Sequence, residues 1–109
     1  MLGEFEYLVL SAASRLGDEA YGVTIRLAIE QATKANCSAG SLYTTLDRLE
    51  HKGLIKTAMG DPTPQRGGRP KRMVQVTGKG AREAEAFYKA VLNASRGASW
   101  DTGNAEGTP

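Results

Sequence analysis

The most constraining feature of this sequence is a run of residues near its middle that cannot form regular structure. Residues 59–71 contain three prolines and three glycines, which remove backbone donors or add backbone freedom along the run. The flanking stretches 54–58 and 72–77 are short, and the second alternates polar and apolar residues as a half-buried strand does. The chain therefore cannot be a purely helical bundle, and we expect a β-hairpin with a long loop.

Three helices are predicted before this hairpin and one after it. In each, apolar residues recur at three- and four-residue spacing, the period of an amphipathic helix. Ser38 is a candidate N-cap of the third helix, and Gly53 suits the position after its end. The four helices are expected near residues 3–16, 21–34, 38–52 and 77–95. The predicted fold class is mainly α with a small β-hairpin, a winged helix-turn-helix (α-α-α-β-β) followed by a C-terminal helix.

Length and composition indicate a single folded domain. The chain has 109 residues, of which 40% are hydrophobic and 24% charged, and these values are typical of one globular domain. Only seven residues are aromatic, so we expect a mostly aliphatic core. The predicted domain covers residues 1–96, including the last helix, and residues 97–109 are expected to form a flexible polar tail.

The charges of the chain are unevenly distributed. Residues 51–82 contain eight basic residues and one acidic residue, a net charge of +7, whereas the remainder contains six and eleven, a net charge of −5. A local basic block of this kind attracts polyanions, because lysine and arginine contacts with phosphates release counterions. Charge alone leaves a solvated basic loop as the alternative.

The order of the predicted elements indicates how such a protein would bind DNA. A third helix can enter the major groove while the hairpin loop reaches neighbouring phosphates or the minor groove. Hydroxyl groups can bond to phosphates or bases, and an arginine can contact guanine with two hydrogen bonds. The candidate DNA-binding residues are Ser38, Ser41, Thr44, Arg48 and Lys52 of the third helix, and Arg66, Arg69, Lys71 and Arg72 of the loop. A surface ion pair is the alternative role for Arg48.

The last helix is a candidate dimer interface. Its broad apolar face exceeds what a small, already closed core requires, and small domains often gain stability by oligomerisation. The expected interface comprises Phe5, Ala84, Phe87, Tyr88, Val91 and Leu92. Trp100 in the polar tail has no assigned role. It could cover a groove of the partner subunit, cover a ligand site or have no function.

Other classes of function are disfavoured. With one histidine, one cysteine and no clustered carboxylates, the groups for acid-base catalysis, nucleophilic catalysis or metal binding are missing, so we expect neither an enzyme nor a cofactor. Cys37 is expected to be a small buried hydrophobe rather than a redox switch. The longest apolar run is too short to span a bilayer and the N-terminus lacks a basic secretory signal, so a cytoplasmic location is expected.

One segment resembles a known family. Residues 40–55, with the sequence GSLYTTLDRLEHKGLI, resemble the recognition-helix signature of PadR-like transcriptional regulators. The family pattern is also matched by residues 21–22, 68–72 and 76–80. The resemblance extends over about residues 3–95 and fits a short subgroup without a further helical domain. It implies DNA contacts for Ser41, Tyr43, Thr44 and Arg48, although Tyr43 could instead pack at the flank of the helix.

Together these features predict a sequence-specific DNA-binding regulator. We expect a homodimeric repressor that binds a near-palindromic operator in double-stranded DNA through residues 38–52 and the basic wing, residues 59–72. The alternative is a winged-helix module that binds an acidic protein, or nucleic acid without sequence preference. Some PadR-like proteins sense a small molecule near their dimer interface, but nothing in this sequence marks such a pocket, so an inducer stays open.

Overall fold

A computed structural model describes residues 1–60 and 71–103. Within these ranges the chain forms four α-helices and a two-stranded antiparallel hairpin. The elements are α1 (Glu4–Leu16), α2 (Gly22–Thr33), α3 (Ala39–His51), β1 (Ile55–Met59), β2 (Arg72–Val76) and α4 (Gly78–Ser95). The predicted fold class, a winged helix-turn-helix with a C-terminal helix, is confirmed.

Both ends of α3 form as the sequence predicts. The hydroxyl of Ser38 accepts a hydrogen bond from the Ser41 amide at 3.1 Å, which satisfies a first-turn donor without an intrahelical partner. After the helix, Gly53 has a φ of +77°, a conformation that L side chains rarely adopt. The Leu54 amide then donates to the Leu49 carbonyl at 2.9 Å. The chain therefore turns directly from α3 into β1.

The hairpin is attached to the helices through β2. Its strands pair from Ile55 with Val76 to Met59 with Arg72. An isolated bridge also joins Met73 to Tyr21 in the connection between α1 and α2. A bridge of one residue has no periodicity, so the sequence pattern did not indicate it. The tip of the predicted loop, residues 61–70, lies outside the described residues.

The core lies between the helices and is aliphatic, as predicted. Leu42, Leu46 and Leu49 of α3 have no exposed surface, and they pack in one cluster with Leu10 of α1 and Ile25 of α2. Burial of a leucine side chain contributes roughly 1.5–3 kcal/mol. These three leucines orient α3, because its opposite face must then point away from the core.

Helix α4 begins against the turn that follows α3. The Thr77 hydroxyl accepts from the Gly80 amide at 3.0 Å and donates to the Gly53 carbonyl at 2.7 Å. A side chain at Gly80 would collide with the carbonyl group of Leu54, so this close approach requires glycine. Further along, Phe87 stacks on Tyr7 of α1 with ring centroids 5.0 Å apart. The first half of α4 is therefore part of the same core.

Candidate nucleic-acid interface

The outer face of α3 carries the residues that the sequence places against DNA. Ser41, Thr44 and Arg48 are exposed and follow one another by about one helical turn, whereas the leucines on the opposite face are buried. Within residues 1–60 and 71–103, no carboxylate lies within 4.0 Å of the Arg48 guanidinium. Among the described residues, therefore, no surface ion pair occupies the Arg48 side chain.

Tyr43 packs at the flank of α3, which is one of the two roles considered for it, and it stays partly exposed. Its side chain is 43% exposed, but its hydroxyl lies against Gly22 at the start of α2, where any side chain would collide with it. The amides of a first helical turn are the donors that bind anions. Tyr43 thus packs at the flank of α3 and also presents its hydroxyl beside α2.

Lys52 is held by a buried acid that sequence analysis did not identify. Its Nζ lies 2.9 Å from Oε2 of Glu6 in α1, whose side chain is only 7% exposed. The Gly3 amide donates to Oε1 of the same carboxylate at 2.9 Å. Burial alone would raise the pKa of Glu6, but the Gly3 amide and Lys52 hold it below its ordinary value. A DNA contact by Lys52 would compete with this pair.

Arg72 meets two acids of α3. Its Nη2 lies 3.0 Å from Oδ1 of Asp47 and 3.0 Å from Oε1 of Glu50. The Thr57 hydroxyl of β1 donates to the other Glu50 oxygen at 2.7 Å. The hydrogen bond from Thr57, followed by Arg72, lowers the pKa of Glu50. The charge of Arg72 is therefore compensated within the protein.

The structure brings together only part of the predicted wing. Lys71 places its Nζ 4.4 Å from the centre of the Tyr21 ring, a distance at which a cation is attracted to the ring face. Arg66 and Arg69 lie outside the described residues. Sequence reasoning missed the roles of Glu6 and Glu50. Their basic partners, Lys52 and Arg72, lie 46 and 22 positions away in the sequence, respectively, so no local pattern marks either pair.

The predicted dimer residues fall into two groups. One group is half-buried against the core of the same chain and comprises Phe5, Ala84 and Phe87. The other is exposed and lies along one side of α4, with Tyr88 at 52%, Val91 at 48% and Leu92 at 48%. Trp100 is 79% exposed. The described part of the chain thus leaves an apolar strip uncovered on the second half of α4.

Cys37 is buried before α3, as expected from the sequence. Its amide donates to Oε2 of Glu30 at 2.8 Å and its carbonyl accepts from Nε of Arg26 at 2.9 Å. Burial raises the pKa of its thiol, which disfavours the reactive thiolate. Elsewhere in residues 1–60 and 71–103, no group of three potential ligands could hold a metal ion, and no helix combines the length and apolar character that crossing a membrane requires.

Solved structures with a similar fold include PadR-like transcriptional regulators and a winged-helix DNA-binding protein. A PadR-like transcriptional regulator from Bacillus cereus strain ATCC 14579 is 23% identical, with a TM-score of 0.69 over 84% of this chain and 84% of that chain. A PadR family transcription regulator from Clostridium difficile R20291 is 27% identical, with a TM-score of 0.62 over 84% and 97%. F93 from STIV, a winged-helix DNA-binding protein, is 18% identical, with a TM-score of 0.66 over 84% and 91%. No curated protein matches the chain.

The family assignment rests on a match to the sequence itself. The model of the transcriptional regulator PadR-like family matches residues 9–86, a range that includes α2, α3 and both strands of the hairpin. The match spans more than half of the chain and includes the segment that resembled the recognition-helix signature. The chain belongs to the PadR-like family of transcriptional regulators and is a DNA-binding regulator rather than an enzyme.

Proposed function

We propose that the protein is a homodimeric repressor that inserts one α3 helix from each copy into successive major grooves of a near-palindromic operator. The observation that carries this proposal is the outer face of α3, where Ser41, Thr44 and Arg48 are exposed together. Arginine and hydroxyl side chains on a helix are well suited to reading base edges and to binding phosphates. In this arrangement Arg48 reads a base, and the Ser41 and Thr44 hydroxyls fix the helix in the groove.

The basic wing, residues 59–72, is proposed to provide attraction that does not depend on sequence. Contacts with phosphates position a protein on DNA but carry no direct sequence information. Because Lys52 and Arg72 are each paired with acids, we assign most of this attraction to Arg66, Arg69 and Lys71. Ser38, whose hydroxyl caps α3, is proposed to lie beside the backbone of the DNA.

The dimer is proposed to form through the exposed strip of α4. Tyr88, Val91 and Leu92 lie at three- and four-residue spacing, so they share one helix face. Association of two copies would remove this apolar surface from water, which is favourable in proportion to its area. We propose residues 1–96 as the unit that folds and dimerises, with residues 97–109 as a tail beyond it. A small-molecule inducer is not assigned.

Gel shifts at several salt concentrations test the proposal, using the promoter of the protein's own gene and a scrambled fragment of equal length. Arg48→Ala is expected to reduce discrimination between the two, at a cost of about 1–3 kcal/mol for the base it reads. Arg96→Ala, which removes the same charge beyond the end of α4, is the matched control. Failure of the wild-type protein to bind the promoter even near 50 mM salt would refute the proposal, because salt weakens such contacts least at low concentration.

A further inference from the structure

Helix α3 presents two acidic residues beside a surface that is to meet phosphates. Asp47 and Glu50 lie three positions apart on the helix, and both are exposed. A carboxylate near DNA opposes binding, because like charges repel. Nη2 of Arg72 contacts both carboxylates at 3.0 Å, so its single positive charge offsets part of their negative charge.

Glu50 differs from Asp47 in the residues that its carboxylate contacts. One of its oxygens accepts from Thr57 of β1 and the other from Arg72 of β2. Thr57 and Arg72 are not cross-strand partners, since Thr57 pairs with Val74. Glu50 therefore connects α3 to both strands. Among the described residues, Asp47 forms its one ion pair with Arg72, and its side chain is 71% exposed against 41% for Glu50.

The hairpin depends on contacts with the helices for its position. Each strand has five residues, and a two-stranded hairpin by itself is marginally stable in water. The turn after α3 holds the start of β1, and the bridge to Tyr21 holds β2 near Met73. Ile55 and Val74 also anchor the stem in the core. Glu50 adds a polar attachment at the side of the stem that faces α3.

We propose that Glu50 is a positioning residue for DNA binding, which sets the direction of the hairpin stem relative to α3. In this role Arg72 is the internal counter-ion of α3 and not a ligand of phosphate. The stem then delivers the wing to the phosphates next to the groove that α3 occupies. This inference rests on the proposed function, since it concerns how two parts of one DNA interface are held together.

The direction in which Glu50→Ala changes the affinity for DNA separates a positioning role from simple electrostatics. Glu50→Ala removes a negative charge, so electrostatics alone predicts tighter binding to DNA. Positioning predicts that binding becomes weaker by about five- to twentyfold, which is at the lower end of the effects that coupled sites have on each other's affinity. Asp47→Ala is the matched control: it removes the same charge from the same helix but leaves the contacts of Glu50 with Thr57 and Arg72. It is expected to bind at least as tightly as wild type.

The experiment measures affinity for the promoter fragment by fluorescence anisotropy for the full chain, with thermal unfolding recorded on each variant. Thr57→Val removes the second contact of Glu50 without changing charge, and it is expected to weaken binding in the same direction. In a chain that already carries R66A and R69A, Glu50→Ala is expected to have less than a twofold effect, because the wing then has little charge left to position.

Equal effects of Glu50→Ala and Asp47→Ala, or tighter binding by both, would overturn the inference while leaving the proposed function intact. An effect of Glu50→Ala that persists in full with R66A and R69A would overturn it as well. If Glu50→Ala does not fold, Thr57→Val decides, and unchanged affinity in that variant refutes positioning. Absence of DNA binding by the wild-type chain would instead refute the proposed function.

Discussion

Replacement of Lys52 by methionine should destabilise the protein, although Lys52 directly follows the last residue of α3 and its side chain is partly exposed. Methionine keeps most of the aliphatic stem but removes the ammonium that lies 2.9 Å from Glu6. Among the described residues, the Glu6 carboxylate, 7% exposed, would then keep the hydrogen bond from the Gly3 amide and the more distant charge of Arg48. An ionised acid left buried without its counter-ion is costly.

The size of the stability loss follows from the burial of Lys52 and Glu6. Exposed ion pairs contribute about 0.2–1 kcal/mol, whereas removal of one partner from a fully buried pair costs about 3–5 kcal/mol. The Lys52 side chain is 44% exposed and that of Glu6 is 7% exposed, so the pair lies between these cases. We expect Lys52→Met to lower the free energy of unfolding by about 1–2 kcal/mol, which is about 5–10 °C in Tm for a domain of this size.

Urea unfolding followed by circular dichroism measures this change, at one fixed protein concentration because a dimer is stabilised by mass action. The double variant E6Q/K52M should recover most of the loss, since no buried charge is then unpaired. Lys89→Met is the matched control, because its contact with Glu85 spans 3.8 Å and both side chains are 67% exposed. The reasoning fails if Lys52→Met is as stable as Lys89→Met, or if E6Q/K52M recovers nothing.

The same variant tests the assignment of Lys52 to DNA. A lysine that neutralises a phosphate contributes about 0.9 to the slope of log affinity against log salt concentration. Because the ammonium of Lys52 is already paired with Glu6, we expect the slope to change by less than about half of that value in Lys52→Met. A change near the full value would show that Lys52 leaves Glu6 to bind phosphate.

Three further predictions concern pH, packing and assembly. Because the Gly3 amide and Lys52 hold the folded-state pKa of Glu6 below its unfolded value, the contribution of this carboxylate to stability is present above the unfolded pKa and is lost as pH falls through the folded pKa. Urea titrations from pH 6 to 3 should show a smaller loss of stability for E6Q than for wild type. Gly80→Ala should cost about 1–3 kcal/mol through its collision with Leu54, whereas Gly78→Ala, whose nearest neighbour is the flexible end of a side chain, should cost less in the same thermal scan. Val91→Glu should give a monomer in light scattering and weaker operator binding, and an unchanged dimer would place the interface elsewhere.

The elements of this fold could be predicted because their signals are local. A hydroxyl at residue 38, a glycine at residue 53 and leucines at helical spacing each act within a few positions along the chain. The prolines and glycines between the strands likewise act on their own backbone. The bridge between Tyr21 and Met73 was not predicted, since it joins residues far apart in sequence through one backbone contact.

The candidate interface was only partly predictable for a related reason. By itself the sequence determined the order of helices and strands, the inward face of α3 and the location of the basic block, all of which depend on neighbouring residues. Tertiary structure alone decided that Lys52 meets Glu6 and that Arg72 meets Asp47 and Glu50. The sign of a charge is a property of one residue, but its availability to DNA depends on which opposite charge the packing of distant elements brings within about 4 Å.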